Sequence, residues 1–344
     1  MSSWQNKIAV IVINWNGYDD TVACIKSLFA QSHDNFQIFL VDNGSNEDAG
    51  KLKDTFENEK RIKLHMLPKN IGFTPATNLV LTDLLASNFE YVAMINNDTV
   101  CEPNCLEEML HGMQKLNCDM ISSKMIQFNH SHKMDNAGHF MLNTAEILPI
   151  GYNDSIAQYN EVKNNIGPCA GGALYRVKLF KEVGLFDTFF NTGYEDAEFG
   201  LRACLLGFKS YYWPKAIIHH KGGASLKKVR NLQYITKIQQ DIFYTYLKLM
   251  PTYVVIFNLP FIIAKYIVVL LMDLLMLRFS YFKMTTTAIY KTLFTDKHKW
   301  KQARQNFKNQ QNYKYLKMVP TTFFLWFDLK RFFKLIFKRK TNFA

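Results

Sequence analysis

The stretch Tyr91–Thr99, YVAMINNDT, decides the fold class. Val92, Ala93, Met94 and Ile95 follow one another without a polar break. Such a run suits a strand buried on both faces of a parallel sheet. It stops on Asn96, Asn97 and Asp98, which therefore stand at the strand's carboxyl end. Open α/β sheets bind their ligands at that edge. Asp98 is placed to hold a hard cation or a ligand hydroxyl there. The same three residues could instead simply turn the chain and cap a helix beginning near Pro103.

Working outward, Ile8–Ile13, Phe36–Val41 and Ile62–Met66 are three more strand-like runs. They stop on Asn14-Trp15-Asn16-Gly17, on Asp42-Asn43-Gly44-Ser45 and shortly before Asn70-Ile71-Gly72-Phe73. Val22, Ile25, Leu28 and Phe29 fall on one helical face, with Asp19 or Asp20 as the expected cap; a further helix is expected from about Pro75. Strands alternating with helices predict a doubly wound parallel sheet whose polar strand ends form one crevice. The first turn has one glycine and no GxGxxG, and the chain carries no Walker A lysine loop, so a plain dinucleotide-binding enzyme is disfavoured. Asp42 suits a base N–H or ribose hydroxyl as well as it suits a turn.

The chain has 344 residues and a formal net charge of +12, which predicts attraction to nucleic acid, phospholipid or a phosphorylated substrate. Its six cysteines have no CxxC pair or zinc spacing and read as reduced, partly buried thiols. The start, MSSWQNKIAVIVINW, lacks the pattern of a signal peptide.

Beyond residue 118 the regularity loosens, and His130, His132 and His139 read as solvated loop residues. Pro168–Tyr175 places Gly171 and Gly172 before a short strand, where a ligand or a neighbouring strand can approach the backbone closely. Glu195 and Asp196 open a helix, where the macrodipole favours negative charge. Glu198 and Arg202 are four residues apart and are expected to pair as a support. Trp213–Ser225 carries an apolar strand into His219, His220 and a glycine loop, and either histidine could ligate a metal.

Taken in order, VDNGS (Val41–Ser45), NIGFTPATN (Asn70–Asn78), INNDT (Ile95–Thr99), AGGALYR (Ala170–Arg176), GLFDTFF (Gly184–Phe190), YEDAEFGLR (Tyr194–Arg202) and HHKGGAS (His219–Ser225) resemble the inverting family 2 glycosyltransferases, especially bacterial rhamnosyltransferases. The resemblance spans Lys7 to Ser225 and includes the Asn-Trp-Asn after the first strand. It implies a nucleotide-diphospho-sugar transferase (GT-A) fold, α/β with a Rossmann-like mixed sheet, over residues 1–225. It also implies a metal-dependent hexosyltransferase using Mn2+ or Mg2+. By that resemblance Asp42 contacts the nucleotide base, and Asn14, Asn70, Gly72, Asn78, Asn96, Asn97, Asp98, Gly171 and Gly172 line the donor site. Asp98 and His220 hold the metal, with an amide, Asn96, where the family's DxD pattern has its first acid. Asp196 is the general base and Glu195 its substitute. The donor is expected to be dTDP-rhamnose or another nucleotide-diphospho-hexose.

After Ser225 the composition changes, and residues 226–344 are expected to be a helical, basic, membrane-associated region. Tyr253–Leu277 is long enough to cross a bilayer, but Asn258, Pro260, Lys265 and Asp273 interrupt it. A central Lys or Asp costs roughly 2.5–3.5 kcal/mol on insertion scales, so a re-entrant or interfacial segment is expected. Phe323–Lys340 reads as a basic amphipathic helix on an anionic surface. The expected partners are a nucleotide-sugar donor, a glycan or lipid-linked acceptor and the cytoplasmic face of the inner (plasma) membrane. Nucleic acid is not expected, since no recognition motif accompanies the charge. The alternatives are a polyprenyl-phosphate sugar transferase and a non-catalytic sugar-nucleotide scaffold of the same fold.

Overall fold

The structure is a computed structural model that describes residues 6–46, 49–222, 232–308, 315–319 and 321–323. The expected amphipathic helix at 323–340 therefore lies almost wholly outside the described residues. The first four apolar runs are strands β1 (Ile8–Asn14), β2 (Phe36–Asp42), β3 (Ile62–Met66) and β4 (Tyr91–Ile95). They are parallel, in the order β3-β2-β1-β4. Helices α1 (Tyr18–Phe29), α2 (Ala49–Phe56) and α3 (Phe73–Leu85) connect them. The chain leaves β1 toward β2 on one side and β4 lies on the other, so the strand order reverses at β1/β4, where a crevice must open.

From here the sheet becomes mixed. A short β5 (Thr99–Cys101) precedes α4 (Cys105–Lys115), so the helix expected near Pro103 starts after an extra strand. Strand β6 (Met120–Gln127) is central and buried along almost its whole length. Its Ser122, Ser123 and Lys124 disguise it as loop in the sequence. Ser123 Oγ is satisfied by the Gly172 carbonyl (2.8 Å), and Ser122 Oγ accepts from Asn165 Nδ2 (2.8 Å). Next come β7 (Met134–Asn136), β8 (His139–Leu142), β9 (Ile147–Pro149), β10 (Lys163–Asn164) and β11 (Gly172–Arg176). Strand β11 lies antiparallel between β4 and β6. Helices α5 (Val177–Val183) and α6 (Glu195–Leu205) lead to β12 (Ser210–His220), which is parallel to β6. Strands β8 and β9 form a small second sheet with β13 (Thr321–Thr322). His139 is buried at the start of β8, a correction to its reading as a solvated loop residue. Its backbone N–H is taken by the Gly167 carbonyl, which draws the residue inward.

The expected aspartate cap of α1 is also corrected: the helix begins after Gly17 with no side-chain cap of its own. Asn14, at the end of β1, accepts from Gly17 N (3.2 Å) and Thr21 Oγ1 (2.9 Å) instead. All six cysteines are free, and five are buried.

Four helices complete the described chain: α7 (Leu232–Leu249), α8 (Thr252–Leu275), α9 (Phe279–Tyr290) and α10 (Lys297–Lys308). Tyr246, Leu249 and Met250, at the end of α7, join the core that contains Val80 and Leu84 of α3, Phe180 of α5 and Phe199 of α6. A buried ionic knot fastens the same joint. Glu198 is bound by Arg202 through both oxygens (3.0 and 3.1 Å), and Lys248 reaches Glu198 (2.7 Å) and Asp187 (2.6 Å). The Glu198–Arg202 pair is thus present, and Arg202 also caps the Val183 and Leu185 carbonyls as a support.

Candidate active site

Three strand ends and one helix start meet at the crevice. β1 and β2 deliver Asn14 and Asp42 side by side, because the strands pair them in register. Asp42, 1% exposed, accepts from Asn14 Nδ2 (2.7 Å), Ser45 N (3.0 Å) and Ser45 Oγ (2.6 Å). Asn97 Nδ2 donates to Asn14 Oδ1 (3.3 Å) and Thr21 Oγ1 (3.0 Å), tying β4's polar end to β1 and α1. Asn43 Nδ2 reaches Asn70 Oδ1 (3.2 Å) and the Gly72 carbonyl (3.1 Å), which binds the Asn70–Gly72 turn to the same edge. Gly72 has φ +92°, and a Cβ there would fall 1.8 Å from Asn191 Oδ1, so the turn requires glycine. Asn78 lies apart from this group: its carboxamide makes both of its bonds with the Phe186 backbone (2.8 and 3.2 Å). It ties α3 to the segment that leads into α6.

Asp98 meets His220 because β5 and β12 pair antiparallel with His220 opposite Thr99. His220 Nε2 is 3.2 Å from Asp98 Oδ1, and its Nδ1 is 2.8 Å from Asp135 Oδ2. Burial opposes a charge on this imidazole, but the hydrogen bonds to Asp135 and Asp98 and their negative charges outweigh it and push the group up to about 10. Successive side chains of a strand point to opposite sides. His219 accordingly turns away to Glu102 (2.7 Å).

Glu195 and Asp196 open α6, preceded by Tyr194 in the left-handed region (φ 74°). Their environments differ. Glu195 is 5% exposed, and among the described residues its Oε2 has no hydrogen-bond partner. Burial first, and then the charge of Asp196, push its carboxyl up to about 8, which favours the neutral form. Asp196 is half-buried. Its Oδ2 accepts from Ala170 N (3.0 Å) and its Oδ1 from Ala197 N (2.7 Å). The next carbonyl, that of Gly171, receives the Asn96 N–H (3.1 Å), so the 169–172 segment bridges Asp196 and the polar end of β4. A Cβ on Gly171 would lie 2.8 Å from Asn96 Nδ2, and one on Gly172 2.6 Å from Ser123 Oγ. Both glycines are therefore close-packed.

A GT-A-like α/β sheet with a carboxylate–imidazole pair and a separate carboxylate at one crevice narrows the possibilities. The family model for glycosyl transferase family 2 matches residues 9–184, just over half of the chain. The chain belongs to glycosyl transferase family 2. It is 28% identical over 145 residues to an uncharacterized glycosyltransferase of Rickettsia conorii, covering 42% of this chain and 23% of that protein. It is 26% identical over 119 residues to TuaG of Bacillus subtilis, a glycosyltransferase whose name refers to teichuronic acid biosynthesis, covering 34% and 46%. The chain thus spans less than half the length of either relative. Among solved structures it resembles GalNAc-T7, crystallised with UDP, GalNAc and Mn2+, at TM-score 0.54 and 14% identity, over 70% of this chain and 50% of that one. That likeness supports the fold.

For this family 2 chain the metal can be tested against the residues present. Among the described residues no group of three or more His, Cys, Asp or Glu side chains is set to hold an ion. Asp98 supplies one hard oxygen, and His220 supplies an imidazole nitrogen once it gives up the Nε2 proton that Asp98 and Asp135 favour, so binding of an ion there would release a proton. That set fits a divalent cation that takes its other ligands from substrate phosphates and water. Asp135, behind His220, is the residue that sequence reading passed over: nothing in HKMDN marks it, and only the β6–β7 pairing brings it there. A cavity of about 780 Å3 lies elsewhere, between α6, α7 and α10. Its Lys237, Lys248 and Lys299 are already paired with Asp241, Asp187 and Asp296.

Proposed function

We propose that this chain is an inverting, metal-dependent hexosyltransferase that moves a sugar from a nucleotide-diphosphate donor to a hydroxyl of a lipid-linked glycan acceptor in cell-surface polysaccharide synthesis. The observation that carries this reading is the junction at Ala170–Gly171, which joins Asp196 on one side to the Asn96–Asp98 strand end on the other. The nucleotide rests against the edge formed by Asn14, Asp42, Asn70 and Gly72, and its diphosphate faces Asp98 and His220. Bound Mn2+ or Mg2+ would offset negative charge on the diphosphate. Asp196 takes the acceptor hydroxyl's proton while the oxygen attacks the anomeric carbon and nucleoside diphosphate departs. One displacement inverts that carbon. The Ala170 and Ala197 N–H groups fix the orientation of this carboxylate, and such a base contributes ~10²–10⁴-fold. Glu195 beside it favours its neutral form, which limits the charge next to the base. Asp98 and His220 are the residues that would hold that ion.

Cytosolic nucleotide sugar and the basic C-terminal region support a peripheral or monotopic position on the cytoplasmic face of the inner membrane, with dTDP-rhamnose or another nucleotide-diphospho-hexose as donor. The relative named for teichuronic acid biosynthesis supports a surface-glycan product. The test is nucleoside diphosphate release from dTDP-, UDP- and GDP-sugars with Mn2+ or Mg2+ and a membrane extract as acceptor. Metal-dependent release with one donor, lost in Asp98→Ala, is expected. Donor binding without release under every condition would favour a scaffold instead.

A further inference from the structure

Helix α8 is amphipathic in the inverted sense. Its amide and ionisable side chains, Asn258, Lys265 and Asp273, are spaced by seven and eight residues, two turns each, so they form one stripe. That stripe faces the protein. Asn258 and Asp273 are each 8% exposed, Asn258 Nδ2 donates to Tyr246 Oη of α7 (2.9 Å), and Lys265 Nζ pairs with Glu146 (2.5 Å) in the β8–β9 turn. The outward face carries Ile256, Phe257, Ile263, Ile267, Leu271 and Leu274, which are 65, 73, 50, 52, 53 and 41% exposed. The helix has a mean hydropathy of 2.4 over its most apolar stretch, of which 11% is buried. Polar groups turned inward and apolar groups outward fit a surrounding medium less polar than the protein. Length and composition would let α8 cross a membrane.

We propose that α8 instead lies flat in the interface of an anionic bilayer, its axis parallel to the membrane plane and its polar stripe docked on the catalytic domain. The stripe from Asn258 to Asp273 covers about 22 Å of a helix about 36 Å long. Held against α7, the core and the β8–β9 turn from Val254 to Tyr266, the helix keeps about nine free residues, roughly 14 Å, too short to span a hydrocarbon core of about 30 Å. Charge selects the occupant. Arg278, Lys283, Lys291 and Lys297 are exposed on the segments that follow α8, so anionic headgroups complement the rim of the apolar face. Two copies of a chain of net charge +12 would repel one another there. The Lys265–Glu146 contact also lies one step from the crevice, since Ile147 N donates to Tyr194 Oη (2.8 Å), just before Glu195. The orientation rests on the transferase reading only for its purpose, which is to present the crevice to a lipid-linked acceptor.

The test places nitroxide labels, one at a time, on Ile256→Cys, Ile263→Cys, Ile267→Cys and Leu274→Cys in the full chain. The unsubstituted protein serves as the labelling control for its own thiols. Depth is read by spin relaxation on phosphatidylcholine vesicles with and without phosphatidylglycerol. The expected result is a common shallow depth, about 5–10 Å, at all four positions, with binding that depends on the anionic lipid. A depth that runs through the bilayer midplane from 256 to 274 would overturn the proposal, as would labels shielded from water before vesicles are added. In the double variant Ile263→Glu/Ile267→Glu, vesicle binding should fall at least tenfold with the melting temperature unchanged. Unchanged binding would refute the proposed face. Equal label depths without any sugar transfer would uphold the surface and remove the transferase reading, and transfer to a water-soluble acceptor without vesicle binding would do the reverse.

Discussion

Replacing Lys248 by methionine tests how the C-terminal helices are joined to the crevice. Methionine keeps the apolar stem and removes the ammonium that sits 2.7 Å from Glu198 and 2.6 Å from Asp187, with the lysine side chain 7% exposed. Breaking a buried pair by removing one partner costs about 3–5 kcal/mol. Glu198 keeps both bonds to Arg202, and Asp187 keeps Phe189 N (2.8 Å) and Tyr244 Oη (3.1 Å). The loss should therefore fall at the lower end, about 3 kcal/mol, in urea unfolding followed by circular dichroism at pH 7. The pH dependence separates this cause from plain packing damage. Burial raises the Asp187 carboxyl, but the charge and hydrogen bond of Lys248 outweigh it and hold the group below its usual value. A lowered folded value gives stability that is present above the unfolded pKa and lost as pH falls through the folded one. Lys248→Met removes the main lowering cause, so the gap between the two proteins should narrow as pH falls through the carboxylate range. A loss below about 1 kcal/mol at pH 7, or a gap that stays equal when pH is taken well below the ordinary carboxylate value of 3.8, would refute the reasoning.

The two histidines should separate cleanly. His220→Ala is expected to reduce transfer about 10²-fold or more, whereas His219→Ala, which loses only Glu102, should stay within a few-fold of the parent; equal effects in a steady-state assay would contradict the assignment. Glu195→Gln should retain turnover at pH 7, because burial already favours the neutral form of the native carboxyl. Its folded value, about 8, stands above the unfolded 4.5, so the native protein loses stability as pH rises between those values and levels off above them. The variant should lack that slope of about 1.4 kcal/mol per pH unit, as measured by thermal or urea unfolding between pH 5 and 9.

Much of the parallel half of the sheet was legible because its strands are unbroken apolar runs ended by Asn or Asp. Period and punctuation suffice there. β6 was not legible, since Ser122, Ser123 and Lys124 are polar and their burial is compensated by partners far along the chain, Gly172, Asn165 and Asn160. The pairing of Asp98 with His220 depends on the β5–β12 register, and Asp135 on the β6–β7 pairing. Neither leaves a local signal. The different surroundings of Glu195 and Asp196 are likewise tertiary: they are adjacent in sequence, but one is buried and the other is half-buried and bonded to Ala170 N. The polar interruptions of Tyr253–Leu277 were legible as an argument against simple spanning. Only the fold shows Asn258 and Lys265 reaching Tyr246 and Glu146.

The most direct test of the central claim compares donor binding and transfer in Asp196→Asn. Calorimetry with the productive nucleotide sugar should give a dissociation constant within about threefold of the parent, because the substitution leaves the nucleotide edge intact. Transfer should fall by ~10²–10⁴-fold with the loss of the base. Normal turnover by Asp196→Asn would contradict the account, and so would loss of transfer in Glu195→Gln with Asp196→Asn still active.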